Sequence, residues 1–336
     1  MAQAKYLLIK GTAGLGDRML GAATGFLYAR LAGRIPIVDW RDGRYAPEGE
    51  NAFERLFVSR SAGALQRLPE TDSVFPEHWR GRLDDRVSDR MGPVDAAYPA
   101  NLWDPGRLDL SQMREETVVV MFAYSQLVEW VRPHMTGEHA ALARTESWEL
   151  IRQVLDEELA PHPEIAARVR QFRRERLAGH TIGVHARASD RWTRIEAVER
   201  RLARALRRHP DAAVFLATDN ADMQRQFEGA YGAVTAPHWY GEPGEAIHTD
   251  PDRDPTRVAR EGLTDMLLLA GCDRLIGDRA STFCKVAMAL SDGKTTDLEP
   301  LRKRWPHPLV TAWRYLVPGP ATPLALAAAR RWAPYG

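Results

Sequence analysis

Cysteine is scarce: Cys272 and Cys284 are the only two in 336 residues. One pair is too few for a disulfide scaffold, and its spacing fits no zinc motif. Each lies in an apolar stretch, so both are expected as buried free thiols. Long apolar runs are missing too. No stretch of 18 apolar residues occurs, and no apolar segment followed by a small-residue cleavage site opens the chain. No integral membrane segment is therefore expected, and a cytoplasmic location is. Net charge is nearly absent at +1, so no global basic field would recruit nucleic acid or an anionic surface. Lysine is rare, 5 of the 46 basic residues, which a GC-rich genome explains without any arginine-specific function. What remains is an ordinary globular composition, 44% hydrophobic and 27% charged, in a chain long enough for two cores.

The usual nucleotide loops are absent as well. An apolar run, Tyr6-Leu7-Leu8-Ile9, leads into GTAGLGDRML at 11–20. Gly11 and Gly16 have P-loop spacing, but Asp17 and Arg18 stand where lysine and a hydroxyl residue would hold phosphate and Mg²⁺. Gly14 and Gly16 begin a dinucleotide fingerprint, yet Met19 occupies the place of the third glycine. An aspartate at the mouth of the loop would repel a pyrophosphate. Asp17 suits a helix cap, or a hand on a neutral group such as a sugar hydroxyl.

Strands and helices then alternate. Strands are expected at 6–10, 34–40, 117–124, 181–186, 212–219, 233–237 and 273–278. Helices are expected at 17–32, 162–179, 194–209, 221–232, 261–272 and 281–290. Continuous apolar strands separated by helices indicate parallel, doubly wound sheets. The stretch 41–114, rich in Pro, Gly, Asp and Arg, reads as loops and short helices. A helical linker near 160–180 divides the chain into domains 1–165 and 166–336, and the tail from Pro320 is expected to pack back as a helix.

In such folds ligands sit beyond the carboxyl ends of the strands. The polar residues there are His185 and Arg187, then Asp219, then Ser281 and Thr282. His185 and Arg187 share one strand face. An arginine fork there can grip a diphosphate, or it can form an interdomain salt bridge. His185 is a ligand or a satisfied core histidine. Ser281 and Thr282 open a helix, which makes an anion site or a plain N-cap. Asp219 holds ribose hydroxyls or caps the next helix. Asp265, set among Leu263, Met266, Leu267, Leu268 and Leu269, needs a partner, either the two N–H donors of a guanine edge or an arginine. Trp103, Tyr124, Trp130, Trp192, Trp239 and Tyr240 are sugar-stacking platforms or core aromatics.

The order of these segments carries a resemblance. GVHARASDRW (183–192), VFLATDNAD (214–222) and EGLTDMLLLAGCDRLIGDRASTFCKVAMAL (261–290) resemble the three shared motifs of the α1,6- and O-fucosyltransferase superfamily. The amino-terminal GLGDRMLGAATGFLYARLAGRIPIVDW (14–40) looks like its bacterial nodulation branch. The resemblance implies an α/β, GT-B-like fold of two Rossmann-type domains facing across a cleft, the first on the acceptor side and the second binding the nucleotide sugar. It implies GDP-fucose as donor substrate, inversion at the anomeric carbon, a glycan or small-molecule acceptor, and neither metal nor cofactor. By position, His185 and Asp265 would read the guanine, Asp219 the nucleoside, and Arg187 the departing diphosphate. Ser281, Thr282 and Phe283 would meet the pyrophosphate, and Gly14, Gly16 and Asp17 would face the cleft. Asp190 and Glu196 are the candidates for the general base. The chain departs from the family at Ala188, where a second arginine is common, at Arg191 in place of a lysine, and at Ile195 in place of an acid. The same fold could also serve another nucleotide sugar or a natural-product acceptor, or bind a nucleotide sugar without transferring it.

Overall fold

The computed structural model describes residues 3–91, 110, 112–187, 195–238, 240, 254–291 and 295–299. Two four-stranded sheets, each wholly parallel, organise them. The first contains β1 (Tyr6–Lys10), β2 (Ile35–Asp39), β4 (Val74–Phe75) and β5 (Val118–Met121) in the order β2-β1-β5-β4. The second contains β7 (Thr181–Ala186), β8 (Ala213–Thr218), β9 (Arg274–Asp278) and β10 (Thr295–Glu299) in the order β10-β9-β7-β8. A separate two-residue antiparallel pair joins β3 (Phe57–Val58) to β6 (Ala160–Pro161). Two doubly wound sheets are what the continuous apolar runs indicated, and β5 and β7 are buried at every position.

The helices used below are α1 (Leu15–Leu31), α2 (Ala52–Leu56), α3 (Val87–Met91), α4 (Val128–Val131), α5 (Ser147–Glu158), α6 (Pro163–Arg176), α7 (Ile195–Arg208), α8 (Ala221–Tyr231), α9 (Pro255–Gly271) and α10 (Thr282–Ala289). Helix α5 lies in a stretch for which no element was expected. Glu146 accepts from the amides of Trp148 and Glu149 at its start, and Leu150, Ile151, Val154 and Leu155 fill its buried face. Helix α9 begins earlier than expected, because Asp254 caps it and Pro255 supplies the preorganised first position. The strand expected at 233–237 is reduced to one bridge, Val234 against Phe215. Asp190, Trp103, Trp192, Trp239 and the tail from Pro320 lie outside the described residues.

The strand orders fix where the connections part. In the first sheet β1 has β2 on one side and β5 on the other. In the second, β7 has β8 on one side and β9 on the other. Successive crossovers leave β1 and β7 in opposite directions, and the crevice this opens at the carboxyl end of such a strand is where doubly wound sheets hold ligands. The glycine turn follows β1; His185 and Arg187 end β7. One apolar core runs between the two switch points, joining Leu20 of α1, Leu150 of α5, Leu263 of α9 and Ala287 of α10.

Candidate active site at the two switch points

The glycine turn is built for close approach. Ala13 adopts φ 58°, a left-handed conformation that costs an L-residue about 1–2 kcal/mol. Asp17 folds back, its Oδ2 accepting from the Gly14 amide at 3.1 Å, so the aspartate caps α1 as its position suggested. Two residues into the helix, Gly16 meets the second half of the chain. A Cβ there would lie 2.6 Å from the carbonyl carbon of Thr282 and 2.7 Å from the amide nitrogen of Phe283. Both are backbone atoms in the first turn of α10, so no side chain can rotate away. The amino-terminal ends of α1 and α10, each with its helix dipole positive, therefore abut.

We expect Gly16→Ala to force these helix starts apart, at about 1–3 kcal/mol of overpacking, with a melting temperature several degrees lower. Gly229→Ala, in α8 with nothing within 4 Å of its Cβ position, is the control and should not lower it. Equal melting of the two variants would contradict the tight contact.

Around this junction the expected residues separate into two groups. Near α10, Ser281 Oγ accepts from the Cys284 amide at 3.5 Å, which makes Ser281 the N-cap. Thr282 and Phe283 form the first turn and are half-buried. The His185 ring stacks on Phe283 with centroids 4.9 Å apart and planes 16° apart. Its Nδ1 lies 3.2 Å from the buried Cys284 Sγ, a contact with no sequence signal because the two residues belong to different elements. Arg187 follows the last residue of β7, and its Nε is 3.5 Å from Asp219 Oδ2 just after β8. Asn220, not Asp219, caps α8, its Oδ1 accepting from the Met223 amide at 2.9 Å. Asp219 thus faces the arginine.

The second group gathers on α9. Asp265 is buried, and its Oδ2 lies 3.5 Å from Nδ1 of His238. No sequence signal marked His238. It arrives because the segment after α8 runs beside β8, with Val234 bonded in both directions: its amide to Val214 and its carbonyl from the Leu216 amide. Burial, followed by the charge of Glu261 one turn earlier, pushes the Asp265 carboxyl well above the usual carboxylate range. Burial lowers the His238 imidazole. The Tyr240 ring packs against His238 with centroids 5.2 Å apart, and its phenol is raised by burial and then by Asp265.

From the first half, Arg18 is buried between Trp40 and Tyr45 and paired with Asp42. Burial raises the Tyr45 phenol, opposed by the charges of Arg18, Arg44 and Arg187, so Tyr45 sits within the field of the β7 arginine. Glu196 is exposed in the first turn of α7. Of the platform aromatics, Tyr124 is buried beside Phe122 and Trp130 packs on the core. Asp250, Asp252 and Asp254 alternate in sequence, as an oxygen-ligand motif would. Asp254 is occupied in capping α9, and the other two lie outside the described residues. Among the described residues no three His, Cys, Asp or Glu side chains could hold a metal ion, and no helix is long and apolar enough to cross a membrane.

Protein-family models and curated proteins give no match to this chain. Solved structures do. Fucosyltransferase NodZ from Bradyrhizobium superposes with a TM-score of 0.60 at 21% identity, over 85% of this chain and 93% of its own. A FUT1 mutant of Arabidopsis thaliana in complex with GDP gives 0.53 at 16%, over 86% and 69%. POFUT1 in complex with GDP-fucose gives 0.52 at 11%, over 90% and 99%. This is the fold of the GT-B fucosyltransferases. Gly14, Gly16 and Asp17 lie at the first switch point, His185, Arg187, Asp219, Ser281, Thr282 and Phe283 gather near the second, Asp265 lies on α9, and Glu196 stands apart on α7.

Proposed function

We propose that this chain is a glycosyltransferase that moves fucose from GDP-fucose to a hydroxyl of a glycan or glycosylated metabolite. The observation that carries the reading is the junction of the two switch points. There the starts of α1 and α10 abut, the His185 ring of β7 stacks on Phe283, and Arg187 follows β7 with its Nε 3.5 Å from Asp219, in a fold whose solved examples include complexes with GDP and GDP-fucose. Arg187 and the first turn of α10 take up the charge that develops on the departing diphosphate. Asp219 holds the guanidinium in place. Asp265 accepts from the donor edge of the base, and His185, flat against Phe283, borders the nucleotide. The first domain brings the acceptor hydroxyl in line with the anomeric carbon, so the transfer inverts its configuration. With an arginine and a helix start on the diphosphate, the reaction does not depend on a metal ion. Asp190 or Glu196 takes the acceptor proton. The two buried free thiols suit a reducing compartment such as the cytoplasm.

Thermal melting with GDP, UDP, ADP and dTDP in turn tests the donor. A ligand at ~100 times its dissociation constant adds about 2.7 kcal/mol, enough to raise the melting temperature by a few degrees. A shift with GDP alone is expected. A shift with another nucleotide instead would overturn the guanine assignment, and no shift with any would overturn the transferase reading.

A further inference from the structure

Among the described residues, Asp265 Oδ1 and His238 Nδ1 find no hydrogen-bond partner, although each atom is buried. The two side chains stand side by side, only 7% and 10% exposed respectively. Unmet polar atoms in a dry setting cost more than anywhere else in a protein, so a site that keeps two of them together is completed by a ligand with matching groups. The match can be read from the atoms. The carboxylate offers two acceptors. The imidazole adds one N–H donor, with its Nδ1 3.5 Å from Oδ2, close enough to serve neighbouring atoms of one planar edge. Acceptor, acceptor, donor is the complement of the guanine edge, where N2–H and N1–H donate and O6 accepts. Adenine places a donor and an acceptor in the reverse order. Among the other described groups of the site, His185 is stacked on Phe283 with its Nδ1 3.2 Å from Cys284 Sγ, and it borders the base from that side. Asp219 and Glu261 carry carboxylates, Arg257 is engaged with Glu261 at 2.7 Å, and the Tyr240 hydroxyl is hydrogen-bonded to Gln224.

We propose that His238 is a specificity-determining residue of the nucleotide site, donating a hydrogen bond to the six-position oxygen of the guanine that Asp265 holds by its N–H groups. The inference rests on the GDP-sugar reading above and extends it to a residue outside the segments that carry the family resemblance. His238 reaches the site because the two backbone bonds of Val234 lay its segment along β8, toward the same carboxyl end that presents Asp219.

Titration calorimetry with GDP, 6-thio-GDP and ADP tests it. The thio analogue keeps both N–H donors and replaces O6 by sulfur, a weak acceptor. The wild-type chain is expected to prefer GDP over 6-thio-GDP several-fold and to bind ADP far more weakly. His238→Ala should weaken GDP about tenfold and bring the GDP to 6-thio-GDP ratio close to one, whereas His238→Gln, which keeps a donor, should restore part of both. A merely structural role would weaken the two nucleotides alike and leave their ratio at the wild-type value, and that result overturns the proposal. A wild-type chain that binds ADP as well as GDP overturns the guanine reading itself, and this inference with it. Selective GDP binding that His238→Ala leaves unchanged overturns this inference alone.

Discussion

Arg187→Ala is expected to slow cleavage of GDP-fucose by about 10²–10³-fold, with a much smaller change in donor affinity. The split follows from where charge appears. The diphosphate in the donor already carries its charge, and the bond to the sugar releases one more as it breaks. A cation placed at that oxygen gains most in the transition state, and such groups are typically worth about 3–4 kcal/mol. Arg187 is fitted to the role by its neighbours. It follows a strand buried along its length and lies 3.5 Å from Asp219, and two residues before it His185 stacks on Phe283 in the first turn of α10. Release of GDP with water as the acceptor can be followed without knowing the natural acceptor. Arg187→Lys keeps the charge and loses the planar fork, so its rate should fall between the two. Wild-type cleavage by Arg187→Ala would remove the residue from the mechanism. A rise in KM with unchanged kcat would reassign it to ground-state binding.

Much of this arrangement could be read before any coordinates, and the reason differs from residue to residue. Strands β7, β8 and β9 are buried, and a strand covered on both faces must be continuously apolar, which marks it in one dimension. Their ends are then the places where the first polar residues appear, and so His185, Arg187, Asp219 and Ser281 stood out together. The Asp17 cap was legible because its partner is three residues away. What stayed hidden depends on contacts between distant segments. Nothing in APHWY announces that His238 turns toward a carboxylate 27 positions later, since the segment is guided by two backbone bonds to β8. The pairing of Cys284 with His185 spans two elements, and the approach of Gly16 to Thr282 spans nearly the whole chain. Helix α5 is a different case. Its apolar residues at 150, 151, 154 and 155 do have a helical period, but charged residues and short 3₁₀ turns surround them, and only packing against α1 makes that face a core face.

The same carboxylate that is expected to read the base should make the empty protein less stable, and Asp265→Asn separates the two effects. At neutral pH the variant is expected to melt higher than the wild-type chain without ligand, by about 1 kcal/mol, and to lose most of the stabilisation by GDP. The direction comes from linkage. Burial and Glu261 raise the Asp265 pKa in the folded state above its unfolded value. A group shifted that way contributes stability that is fully present below the unfolded pKa and is lost as pH rises through the folded one. The wild-type chain should therefore match the variant in acid and fall progressively behind it as pH increases. Asp219, Glu261, His238 and Tyr240 face the same space in both proteins, so the difference between the two melting curves against pH reports on position 265. Asparagine offers one acceptor where the carboxylate offers two, and a site built to hydrogen-bond a ligand rejects a partner it cannot satisfy far more strongly than an apolar pocket does. A variant that melts lower at neutral pH, or that keeps the full GDP shift, would show that Asp265 serves the fold rather than the ligand. The expected pattern, a more stable empty protein that no longer responds to GDP, is one a structural carboxylate cannot produce: stability given up in the empty protein is recovered only when the two N–H donors of the base arrive.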